Sequence, residues 1–450
     1  NRIIVMSHRY LPHTPDDISE MLVACSMHGL DELYSDVPHS LLLGREYDLP
    51  SEKSEKEVRD FFKKLGEKNR PMTCFAGAGW YDRYTPAVIP ALLSRSEFLT
   101  AYTPYQPEIS QGTLQYIFEY QSMMALLTGL DVSNASMYDG ATAVAEAMMM
   151  TVAASRKRNR VLVSATVLPQ VREVMATYAR YHGIILDTLA EEEGVTSRAD
   201  FEEKMASGDV AGVVVASPNR YGVLENYSGW ADTVHAAKAL FVMTCEAAAI
   251  GAVKSPGEWG ADIAAGDAQS LGMPLNFGGP YLGYICCTRQ LIRKLPGRIV
   301  GATVDEAGRR VFVLTLQARE QHIRREKATS NICSNQGLMA LFVSVYMSLL
   351  GPQGLKELNS ISCAGAHYLA ERIVNGGKAR LSYPDKPFLH EFELTTSFDV
   401  DALMQRAMKQ GILPGVRLAD NRLLVAVTEM QSRDDLDCLA DIIDSMPSTL

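Results

Sequence analysis

The chain has 450 residues, 47% hydrophobic and 21% charged, a balance that suits a globular protein with a sizeable core. Its formal net charge of −10 argues against nucleic-acid binding, because neutralising phosphates takes clustered Lys and Arg. The eight cysteines (25, 74, 245, 286, 287, 333, 363 and 438) show neither a CxxC pair nor a Cys/His metal spacing, so the composition points to reduced thiols and predicts no metal site.

At the start, NRIIVMSHRYLPHTPDDISEML lacks a signal-peptide core, and no uninterrupted apolar run is long enough to span a bilayer. The expectation is a cytoplasmic protein without a membrane partner. Thr14, Pro15, Asp16 and Asp17 precede Ile18, Met21 and Leu22 at helical spacing, an N-cap signature. Residues 51–70 are highly charged around Val58, Phe61, Phe62 and Leu65, which predicts a surface helix with one apolar stripe. CFAGAGWYDRY (74–84) alternates glycines with aromatics, as in a loop that must pass close to other backbone.

In residues 98–130, Leu114, Ile117, Phe118, Gln121, Met124 and Leu127 recur every three or four positions, so the second half is a long helix. Pro104 and Pro107 keep the first half extended. Tyr102, Thr103, Tyr105 and Gln106 on that stiff loop could line a polar pocket or pack an interface, and both readings stay open. NASMYDGATAVAEAMMM (134–150) reads as a loop opening a helix at Asp139, Gly140 and Thr142. A helix N-terminus is an anion cradle. Asp139, as N-cap, offers its carboxylate to those same donors, so the cradle reads as filled by its own side chain.

Beyond it, strand-like runs (160–164, 210–216, 239–244, 283–287) alternate with helix-like runs (169–182, 227–237). Such βαβ alternation predicts a mainly parallel sheet with helices on both faces. Residues 310–335 join a strand to a basic run of Arg319, His322, Arg324, Arg325 and Lys327, either a solvated helix end or an anion or partner contact. An apolar helix from Gln336 to Leu350 ends at Gly351 and Pro352. Residues 355–450 read as a small α/β domain with helices at 360–374, 400–410 and 432–445 and a largely antiparallel sheet. The expected division is 1–95, an N-terminal arm with helices; 96–335, a large domain; and 336–450, a bridging helix with the small C-terminal domain.

GDAQSLGMPLNFGGPYLG (266–283) has the layout with which pyridoxal-phosphate (PLP) enzymes of the aspartate-aminotransferase type present a Schiff-base lysine. Gln269 and Ser270 stand at the tip instead. A carboxylate is expected at the end of the strand before 245 to hold the pyridinium nitrogen, but Thr244 or Cys245 falls there and Glu246 is displaced. The stretches AYTPYQPEISQGTLQYIFEYQ, NASMYDGATAVAEAMM, GADIAAGDAQSLGMP with FGGP, LPGRIVGATVDEAGRR and LQAREQHIRREKATSNIC together resemble the N-terminal half of glycine-cleavage P-proteins. In extent the chain is similar to the first subunit of the two-subunit bacterial form.

The resemblance implies a fold-type-I PLP-dependent transferase-like α/β architecture. It also implies a role as a subunit of the glycine dehydrogenase (decarboxylating) that removes CO2 from glycine and passes its aminomethylene group to the lipoyl arm of H-protein. In that family the catalytic lysine belongs to the other subunit, and here its position falls on Gln269 or Ser270. An amide cannot form a Schiff base, so no PLP is expected to be held covalently by this chain and the cofactor is expected in subunit 2. Tyr102, Thr103, Tyr105, Gln106, Arg319 and His322 are the residues expected to line the partner's active site. The competing expectation is a scaffold or sensor built on a degenerate enzyme fold.

Overall fold

The computed structural model describes residues 10, 12–45, 47–155, 157–276, 278–328 and 330–448, with the Arg319 side chain outside the described parts. The chain divides into two compact units, Asn1–Arg70 and Pro71–Leu450. In the first, Thr14 and Asp17 form a reciprocal capping box on the helix Pro15–Ala24, and Ser54 and Glu57 form another on Glu55–Gly66. Neither helix has a buried residue. The predicted stripe of Val58, Phe61, Phe62 and Leu65 is exposed.

The second unit is built on a seven-stranded sheet. Its strands are β1 (Val132–Ser133), β2 (Arg160–Ser164), β3 (Ile185–Leu189), β4 (Val210–Ser217), β5 (Leu240–Cys245), β6 (Ile263–Asp267) and β7 (Gly283–Cys287). The spatial order is β1-β7-β6-β5-β4-β2-β3, with β7 antiparallel to both its neighbours and the other pairings parallel. Parallel strands covered on both faces carry apolar side chains on both, and alternate residues here feed two cores. Leu162, Val213, Val215, Phe241 and Met243 belong to the core that also holds Leu114, Ile117, Tyr120 and Met124 of the helix Gln111–Thr128, while Val161, Val163, Val214 and Val242 share the other with the helices Gly140–Ser155 and Pro169–His182. This is the fold-type-I, mainly parallel α/β architecture expected.

The strand β3 goes unread in the sequence because it is half exposed, so no apolar run marks it. The helix predicted to stop at Gly351 does break there, at φ 60° and ψ −175° before Pro352, but helix resumes to Asn375. By length and composition alone Gly337–Asn375 could cross a membrane. Its first part instead packs Ala340, Leu341, Val343 and Tyr346 into the core of the large sheet, and its second packs Ala366, Leu369, Ala370 and Ile373 into a C-terminal core. There a four-stranded antiparallel sheet runs in the order Ala379–Leu381, Glu391–Thr396, Arg422–Ala426, Val416–Ala419. Residues 71–95, grouped with the arm on sequence, lie in this second unit, where Thr73 and Cys74 pair in parallel with Ile412 and Leu413.

Candidate functional site

In doubly wound sheets the carboxyl ends of the parallel strands open onto a crevice. Here the ends of β4, β5 and β6 surround a cavity of about 60 Å³ lined by Trp80, Tyr81, Gly140, Asn219, Thr244 and Asp267, among others. That volume holds a few water molecules. Pockets for small organic ligands run to about 300–1,000 Å³.

The strand β6 delivers Asp267. One of its oxygens accepts from the Gly140 backbone at 2.9 Å and the other from the Gln269 backbone at 2.8 Å. Burial nevertheless pushes its carboxyl up to about 6. The approach requires glycine at 140, since a Cβ there would sit 2.7 Å from the Asp267 nitrogen. Asp139 accepts from the Thr142 backbone at 2.9 Å. Two carboxylates therefore take N–H groups at the start of the helix, where the dipole favours negative charge.

Gln269 is fully buried. Its Oε1 accepts from the Tyr81 backbone at 2.9 Å, and its Nε2 donates to the Tyr81 carbonyl at 2.8 Å and the Met273 carbonyl at 2.6 Å. The amide thus takes both the N–H and the C=O of one residue of the 74–84 loop. Ser270, also buried, accepts from the Ala248 backbone at 3.1 Å.

The partner loop is held down from the C-terminal sheet. Glu391 accepts from the Ala78 backbone at 2.7 Å and from the Tyr81 hydroxyl at 3.0 Å, and burial pushes its carboxyl up to about 7. Arg83, fully buried, donates to Glu429 at 2.8 Å, to Glu246 at 3.3 Å and to the Ser362 hydroxyl at 2.9 Å. The displaced Glu246 is thereby turned to Arg83. His390 Nε2 lies 3.2 Å from Glu246, but burial, reinforced by the Arg83 charge, holds the imidazole well below the usual histidine range and therefore neutral. Thr244 lines the cavity, and burial pushes the Cys245 thiol up to about 12, leaving it inert.

The loop residues from the sequence reading lie elsewhere. Tyr102 is 81% exposed, and Thr103 and Gln106 flank the half-exposed Tyr105. Tyr105 accepts from Arg298 Nη2 at 3.3 Å, and its ring lies 5.3 Å from the guanidinium carbon. Gln111 pins the base of this loop by donating to the carbonyls of Pro107 and Phe312 and accepting from the Phe312 backbone. His322 is half exposed with Nδ1 3.6 Å from Glu320. No described contact joins it to the loop. Tyr81, Arg83, Asp267, Arg298 and Glu391 are the site residues missed in the sequence. The Gly-aromatic pattern of 74–84 signalled the loop that carries two of them, Tyr81 and Arg83, as close-packed. Among the described residues no group of three or more His, Cys, Asp or Glu gathers to hold a metal.

The sheet order, the single reversed strand and the strand-end cavity define the fold-type-I PLP-transferase architecture. An alanine–glyoxylate aminotransferase from Nostoc shares it with a TM-score of 0.60 at 14% identity, over 84% of this chain and 95% of that one. A family model for the glycine cleavage system P-protein matches residues 8–443. The probable glycine dehydrogenase (decarboxylating) subunit 1 of Moorella thermoacetica is 48% identical over 438 residues, covering 96% of this chain and 98% of the relative. A crystal structure of glycine decarboxylase (P-protein) of the glycine cleavage system, in inhibitor-bound form, matches with a TM-score of 0.88 at 41% identity, over 97% and 99% of the two chains. The chain belongs to the glycine cleavage system P-protein family, on the branch of glycine dehydrogenase (decarboxylating) subunit 1, part of an enzyme complex.

The architecture brings PLP into question, and the residues present do not fit it. The loop tip carries an amide whose every polar atom is engaged, Asp139 and Asp267 take N–H groups where a phosphate would bind, and the cavity is several times too small.

Proposed function

We propose that this chain is the subunit of a two-subunit glycine decarboxylase that holds no PLP, with the Schiff-base lysine and the cofactor in glycine dehydrogenase subunit 2. The complex decarboxylates glycine and passes the aminomethyl group to the lipoyl arm of H-protein, in the cytoplasm. The observation that carries this reading is the Gln269 clasp. The lysine position falls on Gln269 or Ser270: the Gln269 amide is tied into three hydrogen bonds with Tyr81 and Met273, the Ser270 hydroxyl accepts from the Ala248 backbone, and neither side chain has an amine with which to form a Schiff base.

In this reading the chain walls one side of the partner's active site. Tyr102, Thr103, Tyr105 and Gln106 are its contribution, held extended by Pro104 and Pro107 and pinned through Gln111, with Arg319 and His322 as further candidates from the basic run. Rigid placement across a subunit boundary matters because small misplacements of reacting groups cost large rate factors.

Coexpression with subunit 2 and a glycine–bicarbonate exchange assay test the reading. Exchange is expected only from the pair, and borohydride treatment with PLP should label subunit 2 alone. Stoichiometric labelling of this chain between Glu246 and Gly283 would overturn it.

A further inference from the structure

The second unit buries two arginines in different ways. Arg83 is surrounded by acceptors, with Glu246, Glu429 and Ser362 around one guanidinium. Arg298 is only 3% exposed, yet its Nε and Nη1 have no hydrogen-bond partner among the described residues. Its one polar contact there is Nη2 to the Tyr105 hydroxyl. Among the described residues no carboxylate forms an ion pair with it; Glu320, which lines a small cavity with the adjoining Gly297, lies with Oε2 3.6 Å from His322 Nδ1.

Removing a cation from water without a counter-charge is costly, and buried charges are retained where something pairs with them. The guanidinium of Arg298 is a planar fork, the shape that takes both oxygens of a carboxylate at once. On one side lies the Tyr105 ring, 5.3 Å from the guanidinium carbon and itself more than half exposed.

We propose that Arg298, uncovered by Tyr105 in the assembled complex, binds the carboxylate of the amino-acid substrate. This rests on the reading that the Tyr102–Gln106 loop faces the partner's active site. The contact selects and holds substrate. A bond to the carboxylate is present in the ground state and is not strengthened as neutral CO2 departs, so it lowers KM without raising kcat.

The test uses the complex with subunit 2 and the exchange assay. Arg298→Gln should raise the KM for glycine about tenfold or more, as expected for losing a charge-assisted bidentate pair, with kcat within about threefold and the subunits still cosedimenting. Arg298→Lys, which keeps the charge but not the fork, should fall between the two and serves if the glutamine variant does not fold. Inhibition by acetate should weaken in parallel with glycine, while inhibition by methylamine, an amine without a carboxylate, should not change. Unaltered glycine KM and acetate inhibition in both variants would overturn the proposal. So would loss of subunit assembly, which would assign Arg298 to a carboxylate side chain of the partner. A wild-type pair that assembles but shows no exchange would sink the subunit reading first and this proposal with it.

Discussion

Around Gln269 the chain supplies its own partners, since the amide meets the Tyr81 peptide and the Met273 carbonyl, and Asp267 meets two backbone N–H groups. Around Arg298 two guanidinium nitrogens have no hydrogen-bond partner among the described residues, beside a tyrosine that is more than half exposed. A buried polar group left unpaired is expensive, while a paired one contributes to stability. The first region therefore behaves as a structural joint, and the second has the incomplete polar set of a binding surface. In one chain, the loop tip where the fold ordinarily does chemistry is tied down by its own backbone, while Arg298 has two guanidinium nitrogens without a hydrogen-bond partner among the described residues.

Substitutions at Arg83 and Gln269 test whether the region around the loop tip is a structural joint. Arg83→Met leaves Glu246 and Glu429 buried without their cation, and is expected to cost about 3–5 kcal/mol of stability, read from urea denaturation. Gln269→Leu keeps the volume but strands one N–H and two carbonyls, for an expected loss of about 2–4 kcal/mol. If either variant were as stable as the parent, the joint would not be one. Gln269→Lys should neither restore exchange activity without subunit 2 nor bind PLP, because Asp139 and Asp267 still hold the helix donors.

A subtler effect comes from pH. Glu391 titrates at about 7 in the fold against an ordinary 4.5, raised chiefly by burial, so the folded state binds the extra proton. Its contribution to stability is complete below about pH 4.5 and is lost as pH rises to about 7. Glu391→Gln should flatten the fall in melting temperature across that window by up to one proton, and an unchanged slope would mean the carboxyl is already ionised. The smallest effect is expected outside the joint, where Tyr102→Phe should leave stability within about 0.5 kcal/mol and assembly intact, so that any loss of exchange reports on the partner's active site.

The sequence made the central sheet readable where strands are buried on both faces, as in Val210–Ser217, because an unbroken apolar run has few other uses. It hid Ile185–Leu189, an edge strand with water on one side, and Val132–Ser133, which is too short to carry a pattern. Gln269 was found because a motif marks its place. Tyr81 was not, since it lies 188 residues away in sequence and nothing in CFAGAGWYDRY says which backbone it approaches. Arg298 was overlooked within LPGRIVGAT, where an arginine followed by Ile299 and Val300 at the start of a strand is the available clue to its burial.

The long reach of the 74–85 segment also sets an order of assembly. Its anchors are Ser362, Glu391 and Glu429, between 279 and 346 residues downstream. During synthesis the early part of a chain emerges first, so Glu246, 163 residues on, is available to Arg83 well before Glu429, 346 residues on, completes the set. Contacts of such long range are also the slowest to form. The C-terminal side of the joint is therefore expected to close late in folding, and a nascent chain halted before Glu391 should lack the anchors of Ala78, Tyr81 and Tyr84 and leave the loop open to protease.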